Sequence, residues 1–502
     1  MTLLIKNVQI LCASEDFKES RDVFISGDKI SAIGSFPNKK ADEVIEGQSA
    51  YLSPGFIDVN TSSDHYLCLF DNPSQEDFLK QGVTTIIGGM CGSSLAPLLY
   101  GGLESVQKWG NISKVNVGWH TIKEFLDILD KKPLAVNFAT LIGHSTIRRD
   151  IVGDSLRSLT KNELEVLSEM LRRGLKEGGF GLSTGLAYVH SRETPYSEIK
   201  HFAQITKEFN GVYATHLRKS GKEIGESVKE TIKITKETGV KTLISHFMPL
   251  RKAEKEYETA LLQIENLPSD FDFHFDVYPY DTSILALYTF LPLWVQNGGA
   301  AVMIANIKDE WLQPKIEKDL PLVNPDDFVV AQAPINNALV GLSLREIANL
   351  FNAPNYRTAL LRLMISTELK AVIFYKNINS NLIKRVLASP KSLIATNAAS
   401  FSESHKEKIL KPERAASAFT KFLNLVLEDK IMPLEEAIRK ITFEPARKFG
   451  LAHRGLIKEG YFADFAAFKD GQIKFVVVNG VVTIKDGAFQ NKFPGKSLRH
   501  NA

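Results

Sequence analysis

SPGFIDVNTSSDH (residues 53–65), followed by QGVTTIIGGMCGSSLAP (residues 81–97), is the stretch around which this 502-residue chain is organised. Phe56–Val59 and Val83–Ile87 are short apolar runs that break off into polar residues and glycines. Runs of this length, rich in β-branched residues and bounded by Gly and Pro, read as buried strands. Between them, residues 75–80 have helical character. Strand, helix and strand make a βαβ unit and therefore a parallel sheet. Residues that follow such strands lie at the carboxyl ends, where α/β enzymes carry their chemistry. Asn60, Ser62 and Cys91 are in that position.

Working outward, residues 1 to about 52 read as all-β. LLIKNVQIL, RDVFISG and KISAIGSF are short alternating runs. The far end repeats the pattern with YFADFAAFKDG, IKFVVVNG and VVTIKDG, whose Asp-Gly and Asn-Gly pairs signal tight hairpins. The economical reading is one small β-domain built from residues 1–53 and 455–502, with an α/β domain, residues 54–454, inserted in it. That middle part offers eight candidate parallel strands: Phe56–Asn60, Val83–Gly88, Ala135–Ile142, Phe180–Thr184, Val212–His216, Lys241–His246, Phe271–Tyr278 and Ser392–Asn397. Helical stretches separate them, most clearly Lys161–Lys176 and Ile224–Thr238. Eight strands in series point to a (β/α)8 barrel. The gap before the eighth is longer than a barrel loop requires, so residues 291–350 read as an insertion beside the mouth. GKS at residues 495–497 lacks the earlier glycine of a phosphate loop and follows no strand.

Composition excludes several classes. With 44% hydrophobic and 24% charged residues the chain is ordinary globular protein. A net charge of +3 without a basic block argues against nucleic acid as a partner. Three cysteines give no disulfide framework and suit a reducing compartment. The apolar start MTLLIKNVQIL is interrupted at alternating positions, a strand pattern and not a secretory leader. No run reaches the ~18 apolar residues of a membrane span. A cytoplasmic protein without a membrane partner is expected.

Three of the candidate strands end in good soft-metal ligands: Cys91 after the second, His216 after the fifth and His246 after the sixth. The two histidines are 30 residues apart, about one β–loop–α–loop unit, so both rings can face one barrel mouth. Taken singly, a cysteine at a strand end is more often buried filler and a histidine more often structural. Their joint placement argues for a metal. One Cys and two His are three protein ligands, and a catalytic zinc keeps its fourth position for water.

At these residues the chain resembles the amidohydrolase superfamily, and within it the N-acyl-D-amino-acid deacylases (D-aminoacylases). The resemblance runs almost its whole length. It is carried by SPGFIDVNTS, QGVTTIIGGMCGSSLAP, LIGHSTIRRDIVG, GFGLSTGLAY, YATHLRKSGKEIGES, TLISH, DVYPYDTS and LEEAIRKITFEPARKFGL…RGLIKEGYFADFAAF. It implies a (β/α)8 barrel, a β-sandwich-like domain from both termini, an insertion after the seventh strand, and one zinc per chain on Cys91, His216 and His246.

Departures from the family pattern cluster at one subsite. The His-x-His after the first strand falls on Asn60 and Ser62, with His65 out of register. The aspartate after the eighth strand falls on Asn397. That aspartate is a second-metal ligand and the proton acceptor for the attacking water, and an asparagine can orient a water but cannot take its proton. The second metal is therefore expected to be absent. Two carboxylate contacts are also altered. The His-Lys pattern after the sixth strand reads His246-Phe247-Met248, and the PHPR-like segment reads Ser404–Lys408. Tyr188 and Tyr280 remain as candidate substrate contacts. Asp64, His65 and Glu403 lie in loops from which a substitute base could come. The resemblance implies a zinc-dependent hydrolase of a C–N amide bond acting on a small molecule such as an N-acyl amino acid. The alternative is a catalytically degenerate relative that binds a ligand or partner without turnover.

Overall fold

The structure, a computed structural model, describes every residue except 13–14, 17–18, 101–102, 104–105, 107–108, 111, 113–114, 402–407 and 501–502. Strands from the two ends of the chain share one sheet. Thr2–Cys12 lies in its centre, antiparallel to Arg21–Ser26 and parallel to Tyr51–Pro54, which in turn pairs antiparallel with Phe465–Lys469. Gln472–Val478 and Val481–Lys485 extend the sheet by hairpins. The turn dipeptides explain them. Asp470-Gly471 and Asn479-Gly480 both have two successive positive φ angles, 52° and 73° in one and 46° and 78° in the other. A two-residue turn of that hand matches the right-handed twist of the strands it joins.

Among the described residues, eight parallel barrel strands follow in chain order, in two hydrogen-bonded runs. The first run holds Phe56–Asp58, Val83–Gly88 and Asn137–Thr140. The second starts at Ile142–Gly143, where the third strand resumes after Leu141. It continues through Gly181–Gly185, Val212–His216, Lys241–Ile244, Phe273–Val277 and Ser392–Ile394. The ring is completed beyond the strand ends, where the Asn397 N–H donates to the Asn60 carbonyl at 2.9 Å and the Ser62 N–H to the Ala398 carbonyl at 2.9 Å. The mixed α/β architecture with a (β/α)8 barrel and a β-rich sheet from both termini is thus the observed fold. Val83–Gly88 is buried on both faces, which explains why it reads as a continuous apolar run and not as an alternation. The two clearest helices match their sequence bounds, Lys161–Lys176 and Ile224–Thr238. The first opens with a capping box, Thr160 and Glu163 each satisfying the other's backbone N–H.

After the seventh strand, Ser283–Ala286, Phe328–Gln332 and Val372–Tyr375 make a small antiparallel sheet with helices Gly299–Lys308 and Tyr356–Ser366 around an apolar core of its own. This segment reaches beyond residues 291–350 on both sides. At the other end of the barrel, the GKS tripeptide belongs to a closing tail. Lys496 accepts from the Phe138 N–H at 2.9 Å, and a side chain at Gly495 would meet the Val136 carbonyl oxygen at 2.1 Å. No helix among the described residues is long and apolar enough to cross a membrane.

Candidate active site

At the carboxyl ends of the strands lies a cavity of about 450 Å³, closed on one side by the segment after the seventh strand, which contributes Tyr288, Leu293 and Phe374. That volume suits a small ligand. Cys91, His216 and His246 line it together. One ligand atom from each lies within 4.8 Å of the others, and Cys91 Sγ is 3.5 Å from His246 Nε2. Ligands about 2.0–2.3 Å from a tetrahedral zinc sit roughly 3.5 Å apart, so the donor set and its spacing fit that ion. The His216 and His246 rings are edge-to-face at 4.4 Å, and the Tyr188 ring packs on His216 at 5.0 Å.

The backbone is bent to make this cluster. Cys91, His246 and Asn397 have φ of 52°, 38° and 46°, in the left-handed region that only asparagine among them adopts at low cost. Such conformations persist where the surroundings over-determine them. The Cys91 turn is held by Ser183 of the fourth strand, whose hydroxyl donates to the Gly89 carbonyl and accepts from the Gly92 N–H. At His246 the constraint is Asp276, whose carboxylate accepts the His246 N–H at 2.8 Å. Burial pushes the His246 imidazole down to about 4, with the charge of Arg414 acting in the same sense. The ring is therefore neutral near pH 7, the form that ligates metal.

Asn60 is committed elsewhere. Its Nδ2 donates to Asp276 at 3.0 Å, and its backbone N–H donates to Asp58 at 3.1 Å. Asp58 also accepts from the Thr396 hydroxyl at 2.6 Å. A buried hydrogen-bonded relay, Thr396–Asp58–Asn60–Asp276–His246, thus ties the eighth, first, seventh and sixth strands together. Burial pushes both Asp58 and Asp276 up to about 7, against the hydrogen bonds that favour their ionised forms. Neither aspartate had a sign in the sequence beyond its position in a strand.

The remaining expected residues divide. Ser62, His65, Tyr188 and Asn397 line the cavity. His65 Nε2 is 3.0 Å from the Ser93 carbonyl, and the Asn397 Nδ2 is buried with no hydrogen-bond partner among the described residues. Tyr280 lies off the cavity wall, with its hydroxyl 2.7 Å from Ser417 and Lys421 over its ring. Tyr278, just past the end of the seventh strand, lines the wall instead. Asp64 is also off the wall, accepting the Gly89 N–H at 2.6 Å. Glu403 and residues 404–407 lie outside the described residues; Lys408 donates to the Val340 carbonyl. Sequence reading missed Arg414, which is 3% exposed and lines the cavity near Asn397.

Comparison with known proteins was consistent across sequence and structure. Residues 379–483 match the amidohydrolase family profile. The chain is 26% identical to a D-aminoacylase of Alcaligenes xylosoxydans xylosoxydans, over 100% of this chain and 98% of that protein. A crystal structure of N-acyl-D-glutamate deacylase from Bordetella bronchiseptica, complexed with zinc and a phosphonate mimic of the tetrahedral intermediate, superposes with a TM-score of 0.83. It covers 99% of both chains at 23% identity, a likeness of fold. A D-aminoacylase structure described for its binuclear metal centre, with one-metal activation and second-metal attenuation, superposes at 0.81 over 99% of both chains with 25% identity.

Proposed function

The chain belongs to the D-aminoacylase family of amidohydrolases, and on that premise we propose that it hydrolyses the C–N amide bond of an N-acyl amino acid, using one zinc held by Cys91, His216 and His246. The observation that carries this reading is the convergence of a thiol and two imidazoles from three separate strand ends within 4.8 Å. A zinc bound there supplies Lewis acidity at the scissile amide. The relatives support a metal-dependent amide hydrolase, and the one-metal activation described for a D-aminoacylase supports a centre with one ion.

The chain's own residues do the rest. Asp276 fixes the His246 turn, and Asn60 holds Asp276 in place of offering a ligand to a second ion. Ser62 and Asn397 complete a subsite without imidazole or carboxylate. Burial raises the Tyr188 phenol well above its ordinary value, so it stays protonated and serves as a hydrogen-bond donor to bound substrate. Asn397 orients a water by hydrogen bonding but takes no proton from it. The cavity wall carries no Asp or Glu among the described residues. General acid–base catalysis contributes ~10²–10⁴ in rate, so turnover is expected to be slow for the family. The same observation favours the second reading, a relative that binds N-acyl amino acids without cleaving them.

The test is metal analysis combined with a turnover assay on N-acyl-D- and N-acyl-L-amino acids. About one zinc per chain and slow hydrolysis of a carboxylate-bearing substrate are expected. Zinc without hydrolysis of any member of the panel leaves the binding reading.

A further inference from the structure

Arg414 is a buried cation with no acidic partner among the described residues. It is the second residue of helix Glu413–Leu427, at the mouth of the barrel. Among the described residues no carboxylate lies within ion-pairing reach of it. Its guanidinium donates from Nε and Nη2 to the Asn397 carbonyl at 3.3 and 3.0 Å, and from Nη1 to the Thr282 carbonyl at 2.6 Å. The Tyr278 ring lies beneath it at 4.3 Å. These contacts lock the guanidinium between the loops after the seventh and eighth strands. They use three of five N–H donors and leave one on each terminal nitrogen, the fork that a carboxylate fills in bidentate fashion.

A buried unpaired charge is strongly unfavourable, and buried charges are paired or meet a ligand. Arg414 lines the same cavity as Cys91, His216 and His246, and it is the permanent charge on that wall among the described residues. Met248, close in sequence to His246, is buried in the same wall. The cavity lining also includes the apolar Leu250, Leu285 and Phe374.

We propose that Arg414 binds the α-carboxylate of the substrate whose amide lies at the Cys91–His216–His246 cluster, and that, with no second cation on that wall among the described residues, the side chain is restricted to neutral, apolar groups. This rests on the proposed reading of the cluster as the amide-binding end. Arg414 acts here as a substrate-binding residue, held rigid by carbonyls and a ring, so little ordering accompanies binding.

The test separates binding from turnover. The ligand is the ketomethylene analogue of N-acetyl-leucine, racemic, which has a free carboxylate but no C–N bond to cleave. Its primary amide and the corresponding aspartate analogue are the comparisons. In calorimetric titration of the purified protein the acid should bind about tenfold or more tighter than the amide, and than the aspartate analogue. Arg414→Met should bind acid and amide alike, and Arg414→Lys should recover part of the difference. Should Arg414→Met fail to fold, Arg414→Lys carries the test, with a fall in the acid-to-amide ratio of about threefold expected because the fork is lost. An unchanged ratio in the variant that folds, or wild-type protein that binds neither ligand or does not distinguish them, overturns the proposal. Arg414-dependent preference without hydrolysis of any N-acyl amino acid removes the hydrolase reading and leaves this one. Hydrolysis without a carboxylate preference does the reverse.

Discussion

The two ends of the barrel treat a buried cation in opposite ways. At the amino-terminal end of the strands Lys448 is fully buried, and its three N–H groups meet the Thr242 carbonyl at 2.6 Å, the Asp272 carbonyl at 2.6 Å and the Asp272 carboxylate at 2.7 Å. Lys440 does the same with Ser389 and Ser392. Every donor is matched, and the lysines staple the starts of the sixth, seventh and eighth strands. At the carboxyl end Arg414 lines a cavity with two N–H groups not used in the bonds to Asn397 and Thr282, the Asn397 Nδ2 has no partner among the described residues, and three residues sit at positive φ. Polar groups satisfied within the protein stabilise it. Polar groups left pointing into a cavity are what a ligand completes.

The comparison is broken most severely by removing ligands at the upper end. Cys91→Ala/His216→Ala should reduce zinc from about one per chain to background and abolish hydrolysis, with little change in melting temperature in chelator. Zinc retained in that double variant, measured by elemental analysis, removes the ligand assignment. The next largest effect is expected from restoring charge. Asn397→Asp should raise kcat by about 10²-fold with little change in KM, because the carboxylate acts mainly in the transition state. The left-handed backbone there accepts aspartate nearly as well as asparagine. A variant no faster than wild type, and less stable, favours the binding reading.

At the lower end, Lys448→Met should destabilise the fold by about 3 kcal/mol, because buried acceptors lose their donor, while kcat and KM of the folded protein stay unchanged. The deficit should depend on pH. Burial lowers Lys448 from 10.5 to about 8, so between pH 8 and 10 the unfolded chain holds more of this proton than the native one. Stability from this group therefore rises with pH across that window and is lost again as pH falls to 8. The gap between wild type and Lys448→Met in urea unfolding should widen from pH 8 to 10. A gap that narrows places the charge elsewhere. The smallest effect is expected at Tyr280. Tyr280→Phe breaks the hydroxyl contact with Ser417 and leaves the cavity untouched, so kcat/KM should change by less than about twofold. A larger loss would put Tyr280 back among the substrate contacts.

Much of the molecule was legible in the chain because its signals are local. The first two barrel strands are short apolar runs, the terminal hairpins carry Asp-Gly and Asn-Gly at their turns, and Lys161–Lys176 has a capping box at its start. Cys91, His216 and His246 could be picked out since each follows a recognisable strand, and strand ends share one face of a barrel. The position of Tyr280 off the wall was not legible, because its hydroxyl meets Ser417 of the helix from Glu413, a contact made only in the folded chain.

Residue identity and spacing determined the barrel, the order of its strands and the three donors that meet at its mouth, because strand periodicity and turn chemistry act over a few residues. The use of Asn60 to hold Asp276, the left-handed bends at Cys91 and His246, and the meeting of Arg414 with the same cavity were decided by the tertiary structure. These join residues up to 216 positions apart in the case of Asn60 and Asp276, through burial and hydrogen bonds that exist only once the strands have closed into a ring.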